Sequence, residues 1–444
     1  MTGGPIIKNV WLYTIPIILT GILQLLFNAA DLVVVGQFCG SIYVAAVGAT
    51  GALINLITNL FIGLSVGAGV TVAHGLGSGR SNDVRKTVHT AIPTAIISGI
   101  ILTVIGVFGA RTFLKLMDTP PSVLVLSAKY MRIYFLGITA SMLYNFGSAI
   151  LRAAGDTRSP LVYLTIAGVL NVILNIIFVV AFGMDVDGVA LATTLSQCLS
   201  AFLIIRELCR RTDACRLDLR KMKIHAVQLK KIFRIGFPAG IQGSLFAISN
   251  VIIQSSVNSF GPIVMKGNAA AQNIEGFVYM SMNSFHQTAL NFTGQNYGAK
   301  KFDRIKRITT VCLISVFLTG LVLGMLMHIF DRPLLSIYIT DDKRALKYGV
   351  IRIAYICMPY FLCGLMDVVT GLIRGIGSSL LPMIITVVGV CGMRIVWIYT
   401  IFRIPKYHSL QSLYLSYTIS WTITFAAELI VFIILMKKRQ KQKI

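Results

Sequence analysis

Charge is what this sequence has least of. Asp, Glu, Lys and Arg make up 13% of its 444 residues, where a soluble chain carries roughly 25%. Hydrophobic residues reach 56% before the 39 glycines are added. So few charges cannot coat a water-facing surface of this size. A soluble multidomain enzyme, a disordered tail protein and a collagen-like rod are excluded. Negative charge is scarcest: 16 Asp and Glu stand against 40 Lys and Arg, a net charge of +24. In a soluble chain that excess would suggest nucleic acid. In a chain dissolved in a bilayer it marks loops facing anionic lipid, and no nucleic-acid partner is expected.

Whole chemistries are also missing. The eight cysteines form no Cys-x-x-Cys and lie in apolar stretches, as buried thiols do, not a disulfide framework or a zinc site. There is no Gly-x-x-x-x-Gly-Lys-Ser/Thr for ATP, no His-Glu-x-x-His and no nucleophile elbow, since the one Gly-x-Ser-x-Gly, Gly63 to Gly67, lies inside an apolar span. Gly77-x-Gly79 follows no strand, so it is no dinucleotide fingerprint. Asp185 and Asp187 lack the remaining ligands of a calcium loop. No small-residue cleavage site interrupts the first apolar run. The expectation is a protein that is not an enzyme, has no cofactor and holds no metal beyond a sodium ion at Asp31.

What the chain does have is apolar length. About 20 apolar residues cross the hydrocarbon core as a helix. Twelve spans qualify, near 10–36, 44–74, 88–110, 124–151, 159–182, 186–205, 232–258, 267–295, 308–330, 346–373, 379–402 and 409–436. They are continuously apolar rather than alternating, so helices and not barrel strands are expected. With both termini inside, the cytoplasmic connections and tails carry 27 Lys and Arg and the outer ones 12. That bias predicts a cell-membrane protein with cytoplasmic termini.

The two halves repeat. Leu151-Arg152-Ala153-Ala154-Gly155 with Pro160 returns as Ile373-Arg374-Gly375-Ile376-Gly377 with Pro382, at an offset of 222. Phe237-Pro238 echoes Ile15-Pro16, and Asn250 echoes Asn28. Six helices per repeat return the chain to the same side, so the repeats are parallel. The expected architecture is an all-α membrane protein, twelve transmembrane helices in two six-helix bundles with a central cleft. Its parts are an N-terminal bundle at 1–208, a basic cytoplasmic linker at 209–230, a C-terminal bundle at 231–436 and a basic tail at 437–444. Pro16 and Pro238 fall inside the first helix of each half, where proline removes a hydrogen bond and bends the helix. Such a pair of bundles suits an alternating-access carrier.

Four acids lie inside spans, where ionisable groups are costly and mark function. Gln24, Asn28 and Asp31 share one helix face at i, i+4 and i+7. Counted along their helices, Asp31, Asn175 and Thr193 lie roughly 8–11 Å below the outer surface, with Asn171 one turn deeper. One carboxylate, two amides and a hydroxyl suit a proton or a sodium ion. The repeat partner of Asp31 is Ile253, and that asymmetry favours chemistry over packing. Glu275, Tyr279, Met282 and His286 form a second stripe, able to receive a flat organic cation. Asp367 is expected to neutralise an Arg or cap a broken helix. Glu428 is expected to be structural, within reach of Lys437 or Lys438.

These motifs together resemble the multidrug and toxic compound extrusion (MATE) transporters. The resemblance lies in Asp31-Leu-Val-Val-Val-Gly36 after Pro16, Leu151-Arg152-Ala153-Ala154-Gly155-Asp156 with Pro160, and Asn171-Val-Ile-Leu-Asn175. It continues in Gly188-Val-Ala-Leu-Ala-Thr193 and Gly294-Gln295-Asn296-Tyr297-Gly298-Ala299, so it covers both halves. It implies a V-shaped pair of bundles, and export of small organic cations in exchange for protons or sodium ions. A monomer in the lipid bilayer is expected. It also implies that Asp31, Asn171 and Thr193 belong to the cation site. Asn175 departs from the family, where many members have Asp. A glutamate that one branch carries on its seventh helix is Phe246 here. The alternative is a flippase for a lipid-linked precursor from the same superfamily.

Overall fold

The computed structural model describes residues 1–339 and 342–441. Part of the expected basic tail, residues 442–444, lies outside the described residues. Among those described, the regular structure is helical throughout, with no strand. The helices are α1 (Ile6–Phe38), α2 (Ser41–Gly77), α3 (Ser81–Leu116), α4 (Pro121–Leu136), α5 (Ile138–Ala153), α6 (Arg158–Ile176), α7 (Val186–Arg210) and α8 (Ala226–Asn258). They continue as α9 (Pro262–Gly298), α10 (Phe302–Ile329), α11 (Asp331–Ser336), α12 (Lys343–Arg352), α13 (Tyr360–Gly375), α14 (Leu380–Thr386), α15 (Met393–Tyr399) and α16 (Leu410–Lys441). Single π-helical turns at Ile177–Ala181, Ile353–Cys357 and Val387–Gly392 extend α6, extend α12 and join α14 to α15.

Among the described residues, nine helices are long and apolar enough to cross a membrane, and two bent pairs bring the number to eleven. The twelfth expected span corresponds to α9. It has the length, 37 residues, but no window apolar enough to count. Its polar side chains are instead enclosed by protein: Asn268, Ser284, His286, Thr288, Asn291 and Asn296 are all buried. That is where polar groups of a membrane helix belong.

The repeat extends to the backbone. The α4–α5 pair bends by 48° at Gly137, and the α12–α13 pair bends by 41° around Pro359, its partner at offset 222. Gly40 and Gly261, at φ 103° and 96°, open α2 and α9 from the left-handed region. Lys300 takes φ 56° where Gly79 has 69°.

The chain packs as two units, Ile22–Ser244 and Met1–Gly21 with Leu245–Ile444. They differ from the sequence halves in one respect: the first parts of α1 and α8 are exchanged. Close helix crossings explain it. Within Ile22–Ser244, Gly63 and Gly67 of α2 meet Gly236 and Gly240 of α8. A methyl group on Gly63 would come 2.2 Å from the Gly240 nitrogen, and one on Gly67 2.1 Å from the Ile232 carbonyl. Two Gly-x-x-x-Gly faces let backbones touch where lipid offers no hydrophobic drive. The repeat-related crossing in the other unit uses hydroxyls: Thr14 of α1 and Thr288 of α9 are hydrogen-bonded at 2.8 Å. Arg304 then clamps the start of the chain, donating from Nη2 to the Gly3 and Gly4 carbonyls at 2.7 and 2.9 Å.

Candidate functional site

Asp31 stands on the second half of α1, inside the unit Ile22–Ser244, and is half-buried. Three helices meet around it. Asn175 of α6 donates Nδ2 to Asp31 Oδ1 at 2.5 Å, and Thr193 of α7 lies 3.4 Å from Oδ2. Asn175 Nδ2 also lies 3.3 Å from Asn171 Oδ1, and Asn171 Nδ2 reaches Thr193 Oγ1 at 3.3 Å. The four expected coupling residues therefore form one connected group. Asn171 and Asn175 share a face because they are one helical turn apart.

The group is not saturated. Asn175 Oδ1 is buried with no hydrogen-bond partner among the described residues. Thr193 has one hydroxyl proton, and the carbonyl of Val189 competes for it at 2.9 Å. Acceptor oxygens thus outnumber donors around the carboxylate, which is the surplus that a proton or a small cation fills. Tyr130 and Tyr134 of α4 stack at 6.3 Å beside this group and lie in the field of Asp31. They did not emerge from the sequence, although an i, i+4 aromatic pair in a short helix before Gly137 was there to be read.

Gln24 and Asn28 continue the Asp31 face of α1 and are exposed. They lie outside the hydrogen-bonded group.

The second expected stripe is not one surface. Glu275 of α9 is held by Arg352 of α12, whose Nη2 and Nε lie 2.6 and 3.0 Å from Oε2. Met282 is fully buried, its sulfur 2.6 Å from where a methyl group on Gly364 would stand. His286 uses Nδ1 to bond the Asp367 carbonyl at 2.6 Å. Tyr279 alone is exposed, and its hydroxyl accepts from Asn283 Nδ2 at 3.2 Å. The expected role of Glu275 in receiving a cation gives way to an internal ion pair, because Arg352 already neutralises it.

Glu428 was expected near Lys437 or Lys438. It is fully buried, its carboxyl oxygens 2.7 and 2.8 Å from the hydroxyls of Thr370 and Thr386. Glu428 and Asp367 both lie in the field of Arg374, as the expectation of a nearby Arg for Asp367 required.

Comparison with known proteins agrees with this architecture. The model of the family MatE matches residues 16–177 and again 238–400, once in each repeat. The probable multidrug resistance protein YoeA of Bacillus subtilis (strain 168) is 25% identical over 396 residues, 87% of this chain and 85% of its own. The probable multidrug resistance protein YpnP of the same organism is 26% identical over 397 residues, 88% of each chain. A solved structure, the outward-facing conformation of a multidrug resistance MATE family transporter of the MOP superfamily, shares the fold. Its TM-score is 0.91 at 20% identity, over 99% of this chain and 97% of that one. With the family's model matched once in each repeat, over most of the chain, the chain belongs to the MatE family of multi-pass membrane transporters, the multidrug efflux family.

Proposed function

We propose that this protein exports small organic cations across the cell membrane in exchange for protons, by alternating access, with Asp31 carrying the proton. One observation carries the reading: a carboxylate inside a membrane helix with an amide donor at 2.5 Å and, beside it, an amide oxygen without a partner among the described residues. A charge at such depth is costly until it is balanced, and a proton balances it without another side chain. Protonation from outside weakens the pull of Asp31 on Asn175 and Thr193 and favours the packing of α1, α6 and α7 that releases substrate. Deprotonation towards the cytoplasm restores the first packing. Gln24 and Asn28 offer the substrate polar contacts on the same face of α1.

The energy suffices. One proton moving down one pH unit supplies about 1.36 kcal/mol. That supports about a tenfold gradient of an exchanged monovalent cation. The exchange is electroneutral, so membrane potential does not oppose it.

A sodium ion is the second reading. It draws on the oxygen set of Asp31, Asn171, Asn175 and Thr193, which is what a hard cation takes. Cytoplasmic termini, which rest on the Lys and Arg bias, and a monomeric, cofactor-free carrier belong to the same proposal. The family match and the multidrug relatives do not favour the flippase alternative.

The test is ethidium efflux from drug-sensitive cells, for the wild type and Asp31→Asn at equal expression, with proton and sodium gradients collapsed separately. Efflux by the wild type alone, stopped by collapse of the proton gradient, is the expected result. Collapse of the sodium gradient having that effect would move the reading to sodium. A mutant as active as the wild type would make Asp31 structural.

A further inference from the structure

The unit containing Leu245–Ile444 encloses a carboxyl group that the export reading leaves unused. Glu428 of α16 is 0% exposed. It stands nine residues before Lys437, about 13 Å along the helix from the basic end. Thr370 of α13 donates its hydroxyl to Oε2 at 2.7 Å, and Thr386 Oγ1 of α14 lies 2.8 Å from Oε1. The same Thr386 oxygen lies 2.7 Å from the carbonyl of Pro382. A hydroxyl has one proton to donate. Thr386 serves Glu428 or Pro382, not both. When the carbonyl takes it, the contact to Oε1 is a hydrogen bond only if the carboxyl group supplies a proton of its own.

The local charge count points the same way. Asp367, Thr370 and Arg374 share one face of α13, and Glu428 lies in the field of both Asp367 and Arg374. Two acids, Glu428 buried and Asp367 half-buried, stand against one buried guanidinium and leave this corner one positive charge short, and an uncompensated charge is expensive there. Other groups packed on α16 are engaged elsewhere. Arg394 of α15 bonds Ser420 at 3.1 Å and lies 3.8 Å over the Tyr417 ring. Arg352 holds Glu275. Cys391 of the π turn bonds the Leu245 carbonyl, and α14 carries no ionisable residue. His286 of α9, next to Arg374, bonds the Asp367 carbonyl.

Two further observations bear on a ligand. One turn before Glu428, Thr424 is 1% exposed and its hydroxyl has no hydrogen-bond partner among the described residues. The repeat also separates scaffold from chemistry. Arg374 has its counterpart in Arg152, but Asp367 corresponds to Asn145, and Glu428 to Ile204, because α7 and α16 start 224 residues apart. The packing arginine is duplicated and the acids are not.

We propose that Glu428, with Thr370 and Thr386, is a proton-binding site of this unit, distinct from Asp31. Binding moves the Thr386 hydroxyl proton from Glu428 to the Pro382 carbonyl; release moves it back. A proton fits better than a sodium ion because both carboxyl oxygens already meet hydroxyls at hydrogen-bond distance. A sodium ion would need those oxygens for itself.

The test is infrared spectroscopy of the purified full-length protein in detergent, in the Asp31→Asn background so that the other acid is silent. A protonated-carboxyl C=O band is expected. It should vanish with Glu428→Gln, shift with Thr386→Val, and stay unchanged when sodium chloride replaces choline chloride at fixed pH. The proposal fails if Glu428→Gln keeps the band while Asp367→Asn removes it, or if sodium chloride alone abolishes it. Should Glu428→Gln not fold, the band shift in Thr386→Val decides: no shift overturns the proposal. No step of the experiment uses a transported substrate, so its outcome is independent of export through Asp31.

Discussion

Arg352 reaches one carboxylate oxygen of Glu275 with two guanidinium nitrogens, Nη2 at 2.6 Å and Nε at 3.0 Å. Its third nitrogen, Nη1, donates to Asn268 Oδ1 at 2.6 Å, an oxygen that also accepts from the Tyr414 hydroxyl at 2.9 Å. The pair ties α9 to α12 and, through Asn268 and Tyr414, to α16. The side chains are 4% and 12% exposed, so water does little to screen it.

Breaking a buried pair by removing one partner costs about 3–5 kcal/mol, because the other charge is stranded. Glu275→Gln and Arg352→Gln should therefore each melt well below the wild type in detergent, and the double variant should recover most of the loss. Thermal unfolding followed by tryptophan fluorescence measures this. The folded double variant should still bind ethidium. If it folds and has lost binding, Glu275 touches the substrate after all.

The crossing of α2 and α8 gives a prediction about the fold itself. A methyl group on Gly240 would stand 2.2 Å from the Leu60 carbonyl, and one on Gly236 2.6 Å from the Leu64 Cα. These contacts are backbone, so no side chain can swing away. Gly240→Ala should cost about 1–3 kcal/mol by overpacking, and Gly63→Ala with Gly240→Ala more than either alone. Residues in contact do not act additively. The monodisperse fraction after gel filtration should fall in that order. Gly243→Ala is the control, since its nearest neighbour, the Asn59 side chain, is 3.4 Å away.

Much of this was legible in the sequence, and the limits have a physical cause. Apolar length and the 222-residue offset gave the helices and their repeat, because membrane crossing and duplication both leave periodic marks. Asp31, Asn171, Asn175 and Thr193 could be grouped by depth, because rise per residue is fixed. Periodicity names the face of a helix but not what lies against it. Arg352 is 77 residues from Glu275 and Thr370 is 58 from Glu428, and nothing in one sequence pairs them. The same limit hid the exchange of the first parts of α1 and α8. Gly63-x-x-x-Gly67 and Gly236-x-x-x-Gly240 were visible as motifs, but only the structure joins them.

Asn175 is the position where this chain departs from many members of its family, and its geometry says what restoring the aspartate should do. Nδ2 serves Asp31 Oδ1 at 2.5 Å and Asn171 Oδ1 at 3.3 Å, while Oδ1 is buried without a partner among the described residues. Asn175→Asp replaces the donor with a second carboxylate at the same spot. Two carboxylates that close do not both stay ionised without a cation between them. The variant should therefore gain sodium binding. Its melting temperature should climb with sodium chloride but not with choline chloride at equal ionic strength, as its stability gains about 1.4 kcal/mol per tenfold of sodium above the dissociation constant. The wild type, with one carboxylate, should respond equally to both salts. Asn175→Ala separates charge from the lost hydrogen bond: it should destabilise by about 1.5–3 kcal/mol and gain no sodium response. If Asn175→Asp is also indifferent to sodium, the Asp31 site is built for protons whichever residue stands at 175. The departure from the family would then mark no change of coupling ion.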